Sequence, residues 1–405
     1  MTAPPPAGSP DHVPTQECPR CHDAVPVGVF CGRCGADMTR PQSDRFVVLR
    51  PQTYVAAPRE QVLVPMITST LFPELFQEYR NPYRIGMAIM LAGVVVLSFL
   101  GLLAPLIALV ALGVPALFML YLWQSGALHD VPVGWLTAAA ALGAGCGVGW
   151  VWFTGAVVAR AYGVPMAAGF LLEDLAGIGL VFAVGGAILM VLPAVVIRVL
   201  MRRRPRESLD GFSIGALGAL SFTAAGTTTR LAPQLVAGLL ENVLPIRRFT
   251  GAVLFGIAAP LTAAALGGLI GILLWFRPGP IARRHRGRVR AVLLVFTLLV
   301  VVIYTAIWLI DDSPLSRWPQ LGLHILMTVI ALIVTRYGVQ LALLHEQQDP
   351  PSCQPVLCAN CDRVVPEMAF CPACGLASHA LSRTARRQRR ASPPARRHPT
   401  TSTDV

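Results

Sequence analysis

Cys18 and Cys21 form one Cys-x-x-Cys pair, and Cys31 and Cys34 form another shortly after it. Near the other end of the chain Cys358, Cys361, Cys371 and Cys374 repeat the same intervals. Four thiolates at this spacing can close a tetrahedral zinc site, each pair supplying two sulfurs from a tight turn. The expected cofactor is therefore zinc, at two structural sites. The flanking residues repeat as well: Val25 matches Val365, Pro26 matches Pro366, Phe30 matches Phe370 and Gly35 matches Gly375. One zinc ribbon thus occurs twice in the chain. A closed set of four sulfurs leaves no position for a reactive water, so the chemistry it predicts is folding or docking. Disulfide bonding is the competing use of these cysteines, and the compartment decides between the two. A redox Cys-x-x-Cys would need a βαβ context that neither end supplies. Cys146, in an apolar helix, and Cys353, just before the second ribbon, fall outside the pattern and read as unliganded.

A second group of residues could do chemistry of another kind. In GFLLEDLAGIGL the adjacent carboxylates Glu173 and Asp174 sit inside a stretch that reads as a membrane-spanning helix. Moving a carboxylate toward the bilayer centre costs on the order of 3 kcal/mol, so an intramembrane acid is a candidate functional residue. The structural alternative places the pair one turn inside the interface, hydrated or paired with Arg160 or Arg230. His324 is the one histidine inside a predicted span and the one further ligand within reach of that depth. A lone membrane histidine more often hydrogen-bonds a neighbouring helix.

The elements that must position these groups follow from composition. In 405 residues, 54% are hydrophobic and 13% charged, with a mean hydropathy of +0.60. That excludes a single soluble core and predicts an all-α, polytopic membrane helical bundle with a small zinc ribbon at each end. With about 20 apolar residues per crossing, the predicted spans are 85–103, 105–123, 133–158, 170–198, 211–229, 249–276, 290–310 and 320–344. The chain then divides into a proline-rich leader (1–17), ribbon 1 (18–37), a basic linker (38–84), a transmembrane domain (85–344), ribbon 2 (353–377) and a basic tail (378–405). Leader and tail read as disordered, and the leader lacks the features of a signal peptide.

The net charge of +12 is carried by arginine, because the chain contains no lysine. With eight crossings, the linker, the loops MRRRPRESLD and RPGPIARRHRGRVR and the tail all fall on one side, which the positive-inside rule assigns to the cytoplasm. The expected location is the inner (plasma) membrane, with both termini and both ribbons in the reducing cytoplasm, where thiols stay available for zinc. Gly and Ala recur at intervals of three and four along the spans, as in AAALGGLIGI, and predict close helix packing. The tail segment SRTARRQRRASPPARRHPTTSTDV cannot fold alone and is expected to lie against anionic lipid headgroups. Nucleic acid is not the expected partner, since aromatic interleaving and a recognition helix are both missing.

Three blocks of the membrane region resemble the PrsW family of intramembrane metalloproteases: Glu173-Asp174, the helix entry Leu209-Asp210-Gly211 with Phe222 downstream, and the helix around Pro260–Ala264. The resemblance implies the fold of that family over roughly a hundred residues. Its chemistry does not follow, because Gly177 stands where the family has a lysine, Gly226 and Thr227 where it has Glu-Asn, and Thr262 near where it has a histidine. The leading expectation is a non-catalytic membrane protein whose ribbons bind a cytoplasmic partner or each other. The alternatives are a divergent active protease, with His324 as a displaced ligand beside Glu173 and Asp174, and a small-solute transporter or channel with Glu173 in its pathway.

Overall fold

A computed structural model of the chain describes residues 14–39, 56, 66–73, 77–162, 172–201, 207–237, 244–279, 286–311, 316–347 and 354–391. It is predominantly helical, with a two-stranded antiparallel hairpin toward each end: β1 (Thr15–Glu17) with β2 (Ala24–Pro26), and β3 (Pro355–Leu357) with β4 (Val364–Pro366). Seven stretches among the described residues are helical, long and apolar enough to cross a membrane: Asn81–Leu100, Leu103–Gln124, Val133–Val157, Leu180–Leu200, Pro245–Trp275, Gly287–Ile310 and Arg317–His345. They coincide with seven of the eight spans expected from the sequence.

The eighth expected span, 211–229, is also helical, as part of α7 (Ser208–Ala237), but it is less apolar than the other seven. Its position explains this. Every residue from Gly211 to Leu220 is buried, because α7 packs on α5 (Val133–Tyr162) along one side and α9 (Ala259–Trp275) along the other. A helix shielded by protein gains nothing from bulky apolar side chains and can use small ones that bring backbones together. A Cβ on Gly215 would overlap the Gly267 carbonyl oxygen, and one on Gly271 would overlap that of Gly211. Gly211 and Gly215 therefore meet Gly267 and Gly271 backbone on backbone. Gly143 and Gly147 of α5 make the same approach from the other side, to the carbonyls of Gly218 and Phe222.

Outside this centre lie α2 (Gln77–Leu100), α3 (Leu103–Gln124), α6 (Leu172–Leu200), α10 (Arg286–Asp311) and α11 (Arg317–His345). Their outward faces carry Ile89, Phe99, Ile188, Val295 and Val302 exposed, the surface that lipid would cover. The break between the first two spans falls at Gly101, whose φ of 75° ends α2, and Pro105 then sits in the first turn of α3. The rod from Pro245 to Trp275 begins as α8 (Pro245–Val253), widens into a π-helical turn over Leu254–Ala258 and continues as α9. Pro260, lacking an amide hydrogen, cannot complete the regular ladder at that point, and the π turn absorbs the mismatch.

Three regions are more ordered than the sequence implied. The last residues of the leader, Thr15–Glu17, form strand β1 of the first hairpin. Within the basic linker, α1 (Ile67–Leu71) packs Leu71 and Phe72 against Tyr83, Phe118 and Tyr121, and Ser69 accepts a hydrogen bond from the buried Arg336 of α11. The tail begins with a helix, α12 (Arg383–Ala391). It does not fold alone, because carboxylates from the bundle hold it, as described next.

Candidate metal centres and the acidic clasp

Each ribbon is built from one hairpin and two turns. In ribbon 1 the strands pair with Gln16 opposite Val25, and in ribbon 2 with Val356 opposite Val365. His22 and Asp362, at equivalent positions, both adopt positive φ, as do Gly35 and Gly375 after the second cysteine pair. These left-handed residues turn the backbone so that both sulfurs of each Cys-x-x-Cys point inward.

The four sulfurs of each set lie within 4.8 Å of one another. Cys18 and Cys34 are 3.8 Å apart, as are Cys21 and Cys31, while Cys358–Cys374 measures 3.7 Å and Cys361–Cys371 3.9 Å. A Zn–S bond of about 2.3 Å places tetrahedral sulfurs about 3.8 Å apart. All eight cysteines are free of disulfides. Crowding also splits their acidities. A hydrogen bond from Cys34 pushes the Cys31 thiol down to about 5, whereas the same bond and burial push Cys34 up. In ribbon 2, hydrogen bonds from Cys371 and Cys374 lower Cys358, and both donors are raised in turn. A divalent cation removes that conflict, so both four-cysteine clusters fit a metal ion of zinc's geometry. Cys146 belongs to neither cluster, and Cys353 lies outside the described residues.

The ribbons also bind each other. The Phe30 amide donates to the Pro372 carbonyl at 2.9 Å, and the Phe370 amide donates to the Gly32 carbonyl at 2.9 Å. Phe30 and Phe370 are both buried, and Met368 of ribbon 2 packs into the ribbon 1 core of Cys18, Val25, Cys31 and Cys34. Glycine makes the approach possible. A Cβ on Gly28 would lie 2.6 Å from the Pro372 carbonyl oxygen.

From ribbon 2 the chain passes through a 3-10 turn (Ser378–Ala380) into α12, which docks on the ribbon-side end of the bundle. Arg383 donates from Nε to Glu207 at 2.7 Å and also engages Asp210, while Arg386 donates to Glu207 at 2.6 Å. Asp130, at the end of the short α4 (Ala127–Asp130), accepts from the Arg383 amide and, at 3.0 and 2.9 Å, from the amide and hydroxyl of Thr384. It thereby caps α12 with a charge that opposes the helix dipole. Arg389 and Arg390 bond back to the Leu357 carbonyl and to Glu367 of the ribbon. Four arginines of the tail thus hold protein groups. Arg396 and Arg397 lie outside the described residues.

A fourth acid of the bundle, Glu346 just past the end of α11, closes the arrangement. Glu346 accepts from the amide of Ser208 at 2.7 Å and its hydroxyl at 2.9 Å, which caps α7, and its other oxygen lies 4.0 Å from His379 Nδ1. Burial pushes the Glu346 carboxyl up to about 8 and that of Asp210 to about 7. Burial acts in the same sense on Glu207, but Arg386 and Arg383 outweigh it and hold that carboxyl below its ordinary value. The sequence reading did not single out this cluster. A signal was present: three acids, Glu207, Asp210 and Glu346, stand at helix ends on the side otherwise dominated by arginine.

Of the intramembrane candidates, Glu173 and Asp174 fall within α6, but their side chains lie outside the described residues, as do the surroundings of Gly177. His324 is buried and borders a cavity of about 110 Å³ toward the end of the bundle away from the ribbons. Phe222, Gly226, Thr227 and Thr262 border the same cavity. No acid or cysteine is among the residues found to line it, and the two four-cysteine sets are the metal-ligand clusters found among the described residues. Comparisons with family models, curated proteins and solved structures return no match to this chain.

Proposed function

We propose that this is a non-catalytic membrane protein with eight crossings, whose two zinc ribbons form one cytoplasmic head clamped to the bundle and offered to a cytoplasmic protein partner. The observation that carries the reading is the pair of backbone bonds joining Phe30 to Pro372 and Phe370 to Gly32. Ribbons in contact must lie on one side of the membrane, so the crossings between them are even in number. Seven helices meet the apolar criterion, and α7, exempted from it by its central position, makes eight. The reducing cytoplasm keeps thiolates available for metal, and the positive-inside rule favours the same side for the arginine loops. Zinc is the metal that an all-thiolate tetrahedral set favours. Val27, Val29, Leu357 and Val364, all exposed on the ribbons, offer apolar surface to a partner.

A degenerate PrsW-like body remains the proposed origin of the membrane domain. Its support is the meeting of Phe222, Gly226, Thr227 and Thr262 with His324 at one cavity, in which Gly, Thr and Thr replace carboxylate, amide and imidazole donors. The test is complementation in cells lacking the protein. Glu173→Gln and His324→Ala should restore wild-type behaviour, whereas Cys31→Ala combined with Cys371→Ala should not. If the first two variants fail while remaining folded and the cysteine variant succeeds, the displaced-ligand protease replaces this reading.

A further inference from the structure

The cavity beside His324 is mostly apolar, bordered by Trp150, Phe222, Leu254, Phe255 and Ile307 among others. Its single residue of fixed charge among those found to line it is Arg230. Arg230 lies in the last third of α7, and its guanidinium carbon sits 5.4 Å from the ring centroid of Trp308, near the end of α10. Stacking on a ring face engages the guanidinium without consuming its N–H groups, which stay directed in the plane as donors for an oxyanion. Leu254 and Phe255 come from the π-helical turn, a local departure from regular helix that recurs at functional sites.

We infer that this cavity binds one membrane lipid with an anionic headgroup, from the leaflet away from the ribbons. The headgroup's phosphate meets Arg230 at the mouth, and the end of one acyl chain enters between α5, α7 and the π turn. The volume fits that division. An apolar cavity of about 150 Å³ accepts benzene and stays dry without it, so about 110 Å³ accepts the end of a chain and not a whole lipid. Charge selects the headgroup, since a cation with no acid among the described lining residues favours an anion over a zwitterion. Thr227 borders the same space and offers a hydroxyl as a further donor, whereas the Thr223 hydroxyl is already given to the Leu220 carbonyl at 2.9 Å.

The test is native mass spectrometry of the purified full chain in detergent, titrated with phosphatidylglycerol and with phosphatidylcholine of the same acyl chains. Arginines at the ribbon end will also take up anionic lipid, so the readout is the difference between variants. Wild type should retain one more phosphatidylglycerol than Arg230→Gln, and roughly tenfold less phosphatidylcholine at equal concentration. Arg230→Lys should restore part of that retention. A Cβ at Gly226 would lie 3.7 Å from the Gly147 oxygen and from Val151 Cγ2, an ordinary contact. Gly226→Ala should therefore fold and weaken retention, and Gly226→Val should abolish it, with ribbon metal content unchanged. Equal retention by wild type and Arg230→Gln overturns the site, and loss in Arg230→Gln with none in Gly226→Val overturns the cavity as the place of the chain. Equal retention of the two lipids overturns the headgroup assignment. Displacement of the retained lipid by millimolar glycerol phosphate alone marks a site for free anions and overturns the membrane source.

Discussion

Phe30 and Phe370, equivalent residues of the two ribbons, reach across the interface in the same way: each donates its amide to the carbonyl two residues past the other. Such reciprocity is the mark of a two-fold interface, in which one surface is complementary to itself. Here both copies belong to one chain. An internal repeat has thus produced an intramolecular dimer.

Purified protein is expected to hold two metal ions per chain, identified as zinc by elemental analysis. Cys31→Ala should remove one, and Cys31→Ala with Cys371→Ala should remove both, while the helical circular dichroism persists. Gly28→Val should separate the ribbons and leave both ions bound, because the added side chain meets the Pro372 backbone, not a ligand. Retention of two ions after Cys31→Ala would sink the metal assignment.

Arg383 is central to the clasp: its guanidinium meets Glu207 and Asp210, and its backbone amide donates to Asp130. Removing one partner of a largely buried ion pair costs on the order of 3 kcal/mol, because the remaining charges lose their counter-ion. Arg383→Gln should therefore raise amide exchange across α12 by about a hundredfold, tenfold for each 1.4 kcal/mol. Exchange that matches wild type would show that the docked helix is held by other contacts.

The clasp should also depend on pH, and its acids act in opposite senses. Glu346 and Asp210 have folded values of about 8 and about 7, above those of an unfolded carboxyl, so the folded state binds the extra protons. Their contribution is fully present below the unfolded value near 4 and is lost as pH rises through 7 to 8. Glu207 is lowered, so its contribution is present above the unfolded value and lost only as pH falls below the ordinary carboxylate range. Between pH 6.5 and 8.5, wild type should lose thermal stability while Glu346→Gln shows a flatter profile and a higher Tm at the alkaline end. The opposite slope, or an identical one in Glu346→Gln, contradicts the assignment. Restricting the range to pH 6.5 and above keeps the thiolates loaded with metal, since acid releases it.

Topology gives the fourth expectation. Reporters fused before ribbon 1 and after Val405 should both be active only in their cytoplasmic forms. A reporter placed between Leu100 and Leu103, at the Gly101 turn, should be active only in the form read on the far side. Termini on opposite sides would remove the eight-crossing arrangement and the ribbon contact together.

The cysteine sets were legible in sequence because metal geometry is local: two turns and a hairpin fix it within about twenty residues. The helices are legible because lipid demands continuous apolar length, and 211–229 is read as a span with the rest although its Gly211–Leu220 stretch is buried in protein and is less apolar. That the ribbons meet each other, Phe30 against Pro372, is not decided by sequence, since no local pattern tells whether a ribbon seeks its copy or a stranger. The clasp is the part least legible in sequence. Arg383 and Arg386 look like any basic tail until Glu207 and Asp210 are brought beneath them, and only the folded chain does that.

The contact between Phe30 and Pro372 also sets an order of events during synthesis. Ribbon 1 leaves the ribosome first, but its complementary surface around Pro372 is made only after all the helices between the two ribbons. At roughly 10 residues per second, on the order of half a minute separates the two. Through that interval the exposed rim of ribbon 1 has nothing of its own chain to hold. The head can therefore close only after every helix between the two ribbons has been made, and until then ribbon 1 stands unpaired.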